Sequence, residues 1–352
     1  MQETDAKRMS VDNPAGTPRT IGAFGPAPTT GRPAPRPPRD YLPRGREGLL
    51  LVTLAILVLA AGFGSHGAFW SRVNLDNLLV GSAITLIPAI GMTVVILTGG
   101  IDVSTGSMLG LCTAIGGTCF AAGWSIAATI PVFLLSGAAF GLINALLIIN
   151  GRIPPVIATL GTLSIYRMFV FIVLGGNWIT QIPPALTMIF VVDHLAFLPV
   201  VAVNALVLLA AGMVFLRYFR WGRHVYALGN NEEAARLAGI KPERIKLAAY
   251  VMLGLLTGLA ALLTLGQSPM AQTSTGSGFV LQVIAAVVLG GTALSGGRGT
   301  LLGTLLGTLI VQVVDDAIVL LHIQPFWGGV ALGAVILASI GAGAKREAME
   351  TR

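Results

Sequence analysis

Long apolar runs separated by short polar stretches set the pattern of this chain. Runs of the roughly 17–25 residues that a helix needs to cross a bilayer lie near 48–64, 77–98, 104–122, 125–149, 155–174, 197–216, 246–266, 278–295, 301–321 and 326–343. Each predicts a membrane helix. The fold expected is therefore an all-α polytopic bundle of about ten transmembrane helices, and an even count returns both termini to one side. Residues 186–197 are too few to span, carry Asp193 and His194, and predict an interfacial or re-entrant piece.

The charges orient the bundle. With the N-terminal tail inside, the cytoplasmic segments hold Arg152, then Arg217, Arg220, Arg223, Arg236, Lys241, Arg244 and Lys246, then Arg298, and finally Lys345, Arg346 and Arg352. The external segments hold only Arg72, the asymmetry that the positive-inside rule describes. Both termini are therefore expected in the cytoplasm, with Asn231 and Arg298 inside and Gly276 outside.

Composition removes the soluble alternatives. Apolar residues make up 54% of the chain and charged residues 11%, with a mean hydropathy of +0.82, far from the roughly 25% charged residues of soluble domains. The net charge of +7 sits in loops that alternate with apolar runs, so it marks orientation and not a nucleic-acid partner. Residues 1–47, rich in Pro, Arg, Gly and Thr, predict a disordered cytoplasmic tail. Residues 48–343 form the expected membrane domain, with its first run an uncleaved span, and 344–352 a second cytoplasmic tail. Cys112 and Cys119, in one apolar run, suggest neither a disulfide framework nor a metal site.

Small residues four apart recur as Gly106/Gly110, Gly137/Gly141, Gly254/Gly258, Gly303/Gly307 and Gly329/Gly333. Such pairs let helix backbones approach closely in lipid, where no hydrophobic force drives association.

The polar run 226–240 interrupts this pattern, within a cytoplasmic loop over 217–246. Asn230 or Asn231 can cap a helix of about two turns whose first turn holds Glu232 and Glu233, and Gly239 supplies a left-handed stop. Pro242 suits the first turn of the following membrane helix. A rigid element tied so closely to a span can pass on motion.

With Glu233-Ala234-Ala235 and Gly239 the loop resembles the Glu-Ala-Ala (EAA) loop of bacterial ABC importer permeases. Sugar permeases usually show Gly-x-Asn-Glu there, matched by Gly229, Asn231 and Glu232, so both glutamates are candidates. Three more stretches resemble the ribose and monosaccharide branch of that family: 89–107 with Gly99-Gly100-Ile101-Asp102 and Ser104, 155–162 followed by Tyr166-Arg167, and 288–303 with Gly296-Gly297-Arg298-Gly299-Thr300. The resemblance covers about residues 74–342. It implies a subunit that performs no covalent chemistry and holds no cofactor. ATP and magnesium would bind a partner ATP-binding subunit docked on Gly229, Asn231, Glu232, Glu233, Ala234, Ala235 and Gly239. An extracytoplasmic solute-binding protein, a second permease copy and membrane lipid would be the other partners, in the bacterial inner membrane.

The chain itself has no Gly-Lys-Ser/Thr phosphate loop. Its glycines around Asp102 permit a broken helix whose exposed backbone could serve a polar solute. On a helix Thr304, Thr308, Gln312 and Asp315 form one polar stripe, which could line a path or bond neighbouring helices. Ser104, Asn144, Arg167 and Gln282 are further path candidates. The scarcity of charge in the spans points to a neutral solute, a monosaccharide or near relative. Two other readings stay open: an ion-gradient transporter using Asp102, Asp315 or Asp316, and an importer of branched amino acids.

Overall fold

The computed structural model describes residues 44–195, 197–324, 327–330 and 333–334. The expected N-terminal tail falls outside the described residues up to position 43, as do the tail 344–352 and most of the tenth span, 326–343. Seven described helices are long and apolar enough to cross a membrane: α1 (Arg44–Gly64, apolar from Glu47), α2 (Arg72–Leu97), α4 (Ile126–Ile149), α5 (Pro155–Leu174), α7 (Val200–Tyr218), α10 (Pro242–Gln267) and α12 (Leu301–Leu320). Two shorter apolar helices, α3 (Thr105–Ala121) and α11 (Phe279–Leu289), complete the set.

Position in the bundle follows from which faces are apolar. From Ser82 to Leu97 every residue of α2 is buried, because a helix that is apolar all round can be surrounded by other helices. It packs against α7, α10, α11 and α12. α10 is the second central element, in contact with α2, α3 and α4. Peripheral helices keep large apolar side chains outward, such as Leu49, Ile56 and Phe63 on α1 and Ile165, Phe169 and Ile172 on α5. These are the lipid-facing surfaces expected of a membrane bundle.

Glycine pairs make the closest joints. Gly137 and Gly141 of α4 lie directly on Gly254 and Gly258 of α10, and a Cβ on any of the four would meet backbone of the other helix. Gly303 and Gly307 of α12 seat on Ala286 and Gly290 at the end of α11 in the same way. A Cβ on Gly329 or Gly333 would meet nothing within 4 Å among the described residues.

One expectation changes, and another gains a defined fold. The span expected at 278–295 is only the 11 residues of α11, about 16 Å of helix, because Gly290 and Gly291 end it and the chain turns. The residues before it, 271–278, form a non-helical, turn-rich segment packed along α3. Between α5 and α7, the stretch expected to be interfacial folds as a short helix α6 (Pro184–Thr187), a π turn (Met188–Val192) and a two-stranded hairpin, β1 (His194–Leu195) and β2 (Leu198–Pro199), with His194 opposite Pro199. Leu186 is its buried anchor, set against Gly266 of α10.

Candidate functional site

The loop 217–246, expected on the cytoplasmic side, holds two helices where the sequence suggested one. α9 (Glu232–Leu237) is the expected short element. Asn231, with extended backbone, accepts a hydrogen bond from the Ala234 amide at 2.9 Å, which settles the cap on Asn231. Gly239 has φ +82 and open space around it, the left-handed stop that a side chain would strain. Pro242 opens α10.

Ahead of α9 lies α8 (Arg220–Asn230), not anticipated from the run of basic residues. Its buried face is Gly222, Val225 and Leu228, a three-residue spacing that was present in the sequence and is the signal for an amphipathic helix.

The two adjacent glutamates have different environments. Glu232 is held to α10 by Lys246 at 2.7 Å and lies 3.7 Å from Arg236, which also reaches Glu243 at 3.3 Å. Glu233 is exposed and has no ion pair among the described residues. Ala234 is exposed beside it, Ala235 is buried, and Leu237 is 83% exposed, an apolar side chain projecting from the surface. α9 is thus bolted to the membrane domain through Glu232 and Ala235, and presents Glu233, Ala234 and Leu237.

At the far end of α8, Gly229 meets both glycine breaks of the bundle. Its α-carbon lies against the Leu97 carbonyl, where α2 ends, and against the Gly297 amide in the turn between α11 and α12. Those two are themselves joined, Gly297 donating to the Leu97 carbonyl at 3.0 Å. The Tyr226 hydroxyl donates to the Gly299 carbonyl at 3.0 Å and the Asn230 amide reaches the Gly297 carbonyl at 3.4 Å. Burial pushes the Tyr226 phenol up, so it is protonated at neutral pH and remains a donor.

The path candidates fall into three separate places. Asp102, Ser104 and Asn144 come together, fully buried, between α3 and α4. Asp102 accepts from the Ser104 amide and hydroxyl at 2.8 and 2.7 Å and from the Asn144 amide at 2.8 Å, while the Tyr166 hydroxyl donates to Asn144 at 3.2 Å. This network closes the break after α2 onto α4 and α5, and leaves both Asp102 oxygens bonded within the chain.

The stripe on α12 faces other helices. Thr304 is 2.7 Å from Thr93 of α2, Thr308 bonds back to the Thr304 carbonyl, and the Gln312 amide rests on Gly81 of α2. Asp315 accepts from Gln282 of α11 at 2.7 Å. Of the two roles open to the stripe, this arrangement displays interhelical bonding. Arg167, half-buried on α5, stands apart and donates through Nη1 to the carbonyls of Thr273 and Thr275 at 3.1 and 2.9 Å.

Among the described residues no group of three or more His, Cys, Asp or Glu is placed to hold a metal ion.

Comparison with known proteins places the whole arrangement. Residues 74–340 match the family described as "Branched-chain amino acid transport system / permease component". The chain is 35% identical over 304 residues to the autoinducer 2 import system permease protein LsrC of Yersinia enterocolitica serotype O:8, covering 85% of this chain and 82% of the relative. It is 35% identical over 303 residues to the LsrC permease of Yersinia pseudotuberculosis serotype O:1b, with 84% of each chain covered. No solved structure matches. The alternation of membrane helices, the cytoplasmic helix pair and the family match over 74–340 lead to one conclusion: the chain belongs to the family of multi-pass permease components of ABC importers, whose ATP hydrolysis resides in a separate subunit.

Proposed function

We propose that two copies of this chain enclose a central path in the bacterial inner membrane and pass a small, uncharged, polyhydroxy solute, a monosaccharide or a near relative such as autoinducer 2. One observation carries the solute class. The four ionisable side chains that the sequence places deepest in the spans are engaged by neutral groups: Asp102 by Ser104 and Asn144, Asp315 by Gln282, Asp316 by Asn74, and Arg167 by two carbonyls. An amino acid carries both charges and would need a carboxylate and a cation converging on one point. Arg167 and the three carboxylates do not converge. The likeness to autoinducer 2 permeases supports the same reading.

The importer includes an ATP-binding subunit and a solute-binding protein. In this proposal the first holds ATP and magnesium and grips Glu233, Ala234 and Leu237, with Asn231 and Gly239 shaping α9. The second delivers solute from outside the membrane. Closure of the ATPases moves α8 and α9, and through Gly229 the two breaks move with them, so the pair alternates between inward-open and outward-open arrangements. Covalent chemistry is confined to the ATPase.

The test is uptake by vesicles containing the assembled importer. Uptake should require ATP and survive collapse of proton and sodium gradients, and neutral sugars should compete where leucine does not. Competition by leucine alone would overturn the solute class, and gradient-driven uptake by this chain alone would overturn the energy source.

A further inference from the structure

Residues 271–278 read Ala-Gln-Thr-Ser-Thr-Gly-Ser-Gly, with no apolar side chain after Ala271. From sequence this is an external loop, yet it does not stay outside. Ala271 pairs with Ile179 in an antiparallel bridge and lies beside Gly117, near the outer end of α3. Further along, the Thr275 carbonyl sits on Gly110 and the Gly276 carbonyl on Gly106, in the first turn of α3 beyond the break. From Gly117 to Gly106 the helix axis runs about 16 Å. The segment, folded into two successive turns closed by Thr275 N–H to the Gln272 carbonyl and Ser277 N–H to the Ser274 carbonyl, lies along α3 between these contacts, at the depth where α3, α4 and α10 pack together. Gly276, expected on the external face, is therefore seated inside the bundle, its φ of +76 held against Gly106.

Non-helical backbone at that depth is tolerated only where protein covers it or where it borders water. One side is covered, by α3 and by Arg167, whose Nη1 caps the Thr273 and Thr275 carbonyls. The other side is open: Ser274, Ser277 and Gly278 are exposed. Hydroxyls and peptide groups facing hydrocarbon would cost several kcal/mol each, on the order of 2–7, so this side faces a polar space. Arg167 adds to it, since its Nε and Nη2 have no hydrogen-bond partner among the described residues.

We infer that residues 272–278 and Arg167 form a solute-contacting wall of the transport path. Its ligand chemistry is that of a neutral polyhydroxy compound, a class that rests on the proposed function. Ser274, Ser277 and the peptide groups offer both donors and acceptors to hydroxyls, and Arg167 offers donors with fixed direction. The wall meets the break at Gly106, two residues from Ser104, so a change at the break alters the depth and width of the path beside it.

The experiment uses the assembled importer, with Cys119→Ser in the permease and the buried Cys112 retained. Ser274→Cys and Ser277→Cys are treated from outside with a small impermeant thiol reagent, with and without D-ribose or autoinducer 2. Both thiols should react, and a tenfold excess of solute over its half-saturating concentration should slow the reaction about tenfold. Failure to react, or an oxidant-induced disulfide between two permease copies at either position, overturns the wall in favour of a covered contact. Reaction that solute does not slow also overturns it. The solute class is judged separately from uptake by the native importer; if only leucine is taken up, the protection arm is run with leucine, and the same criterion decides the wall.

Discussion

Gly229→Ala tests the joint between the cytoplasmic helices and the bundle. A Cβ at this position would run into the Leu97 carbonyl oxygen and the Gly297 amide nitrogen, with the Gly297 α-carbon at 3.0 Å. These are backbone atoms, so no rotamer change relieves the overlap, and Leu97 and Gly297 are already fixed to each other by a 3.0 Å hydrogen bond. Overpacking of this kind costs about 1–3 kcal/mol. Relief comes from lifting α8 away from the breaks, and a bias of about 1–3 kcal/mol between two arrangements changes their ratio about 5- to 150-fold. Solute-stimulated ATP hydrolysis and uptake should fall together by a factor in that range.

Two controls separate the joint from folding. Gly161→Ala, on α5 with no atom within 4 Å, should be silent, and Tyr226→Phe removes the bond to Gly299 without adding an atom. That hydrogen bond contributes about 0.5–1.5 kcal/mol, so Tyr226→Phe should weaken coupling severalfold at normal abundance. Native-like coupling in both Gly229→Ala and Tyr226→Phe, with normal amounts of protein in the membrane, would refute the idea that motion passes through this joint.

Glu233→Gln should lower stimulated ATP hydrolysis at unchanged abundance, whereas Glu232→Gln, which weakens partly exposed pairs with Lys246 and Arg236, should cost about 1 kcal/mol of stability or less for each pair and keep most of the activity; equal losses would contradict the assignment. Gly254→Leu places bulk where α10 meets the Gly137 backbone and should stop the permease accumulating, as measured by quantitative immunoblot of membranes. Asp102→Asn and Asn144→Asp should each set like groups against one another in a buried network, at about 1–3 kcal/mol, while the double swap restores donor to acceptor and should recover thermal stability in detergent; a double swap no better than the worse single change would sink this account. Single thiols at positions 231 and 298 should resist an impermeant reagent added outside, and labelling of Asn231→Cys there would invert the orientation.

The membrane helices were legible because burial in lipid and in protein both demand apolar residues over a fixed length, and because basic residues sort to one side. Asn231, Gly239 and Pro242 were legible because caps and left-handed stops depend on local backbone chemistry. α8 was hidden by its charge: Arg220, Arg223 and His224 dominate its composition, while the face that matters is three small or apolar residues. The path residues were the least legible. Asp102, Thr304 and Asn144 are polar residues in apolar runs, and composition cannot distinguish a group that faces solute from one satisfied by a neighbouring helix. Nor could it place 271–278, since a polar segment between two spans reads as a loop wherever the fold puts it.

The geometry gives the glycine breaks a common purpose. An unbroken α2 would carry its helical backbone straight past Leu97, and its carbonyl there would be bonded within the helix. The break at Gly99 and Gly100 frees that carbonyl to accept from Gly297, while the second break, at Gly296 and Gly297, provides an amide with no helix of its own to serve. At the second break a Cβ on Gly296 would come to 3.0 Å from the Gly99 amide, while at the first Gly99 has open space but a φ of +81 that a side chain would strain. Gly229 then adds a third backbone to the same point. Three chain segments that are far apart in sequence thus meet without side chains between them, and a contact made of backbone alone has little slack. Under the proposed coupling, a displacement of α8 by an ATP-driven partner would reach the end of α2 and the turn before α12 together. On the other side of the first break lie Asp102, Ser104 and the inner end of the 271–278 segment, which puts the moving point beside the surface proposed to face the solute.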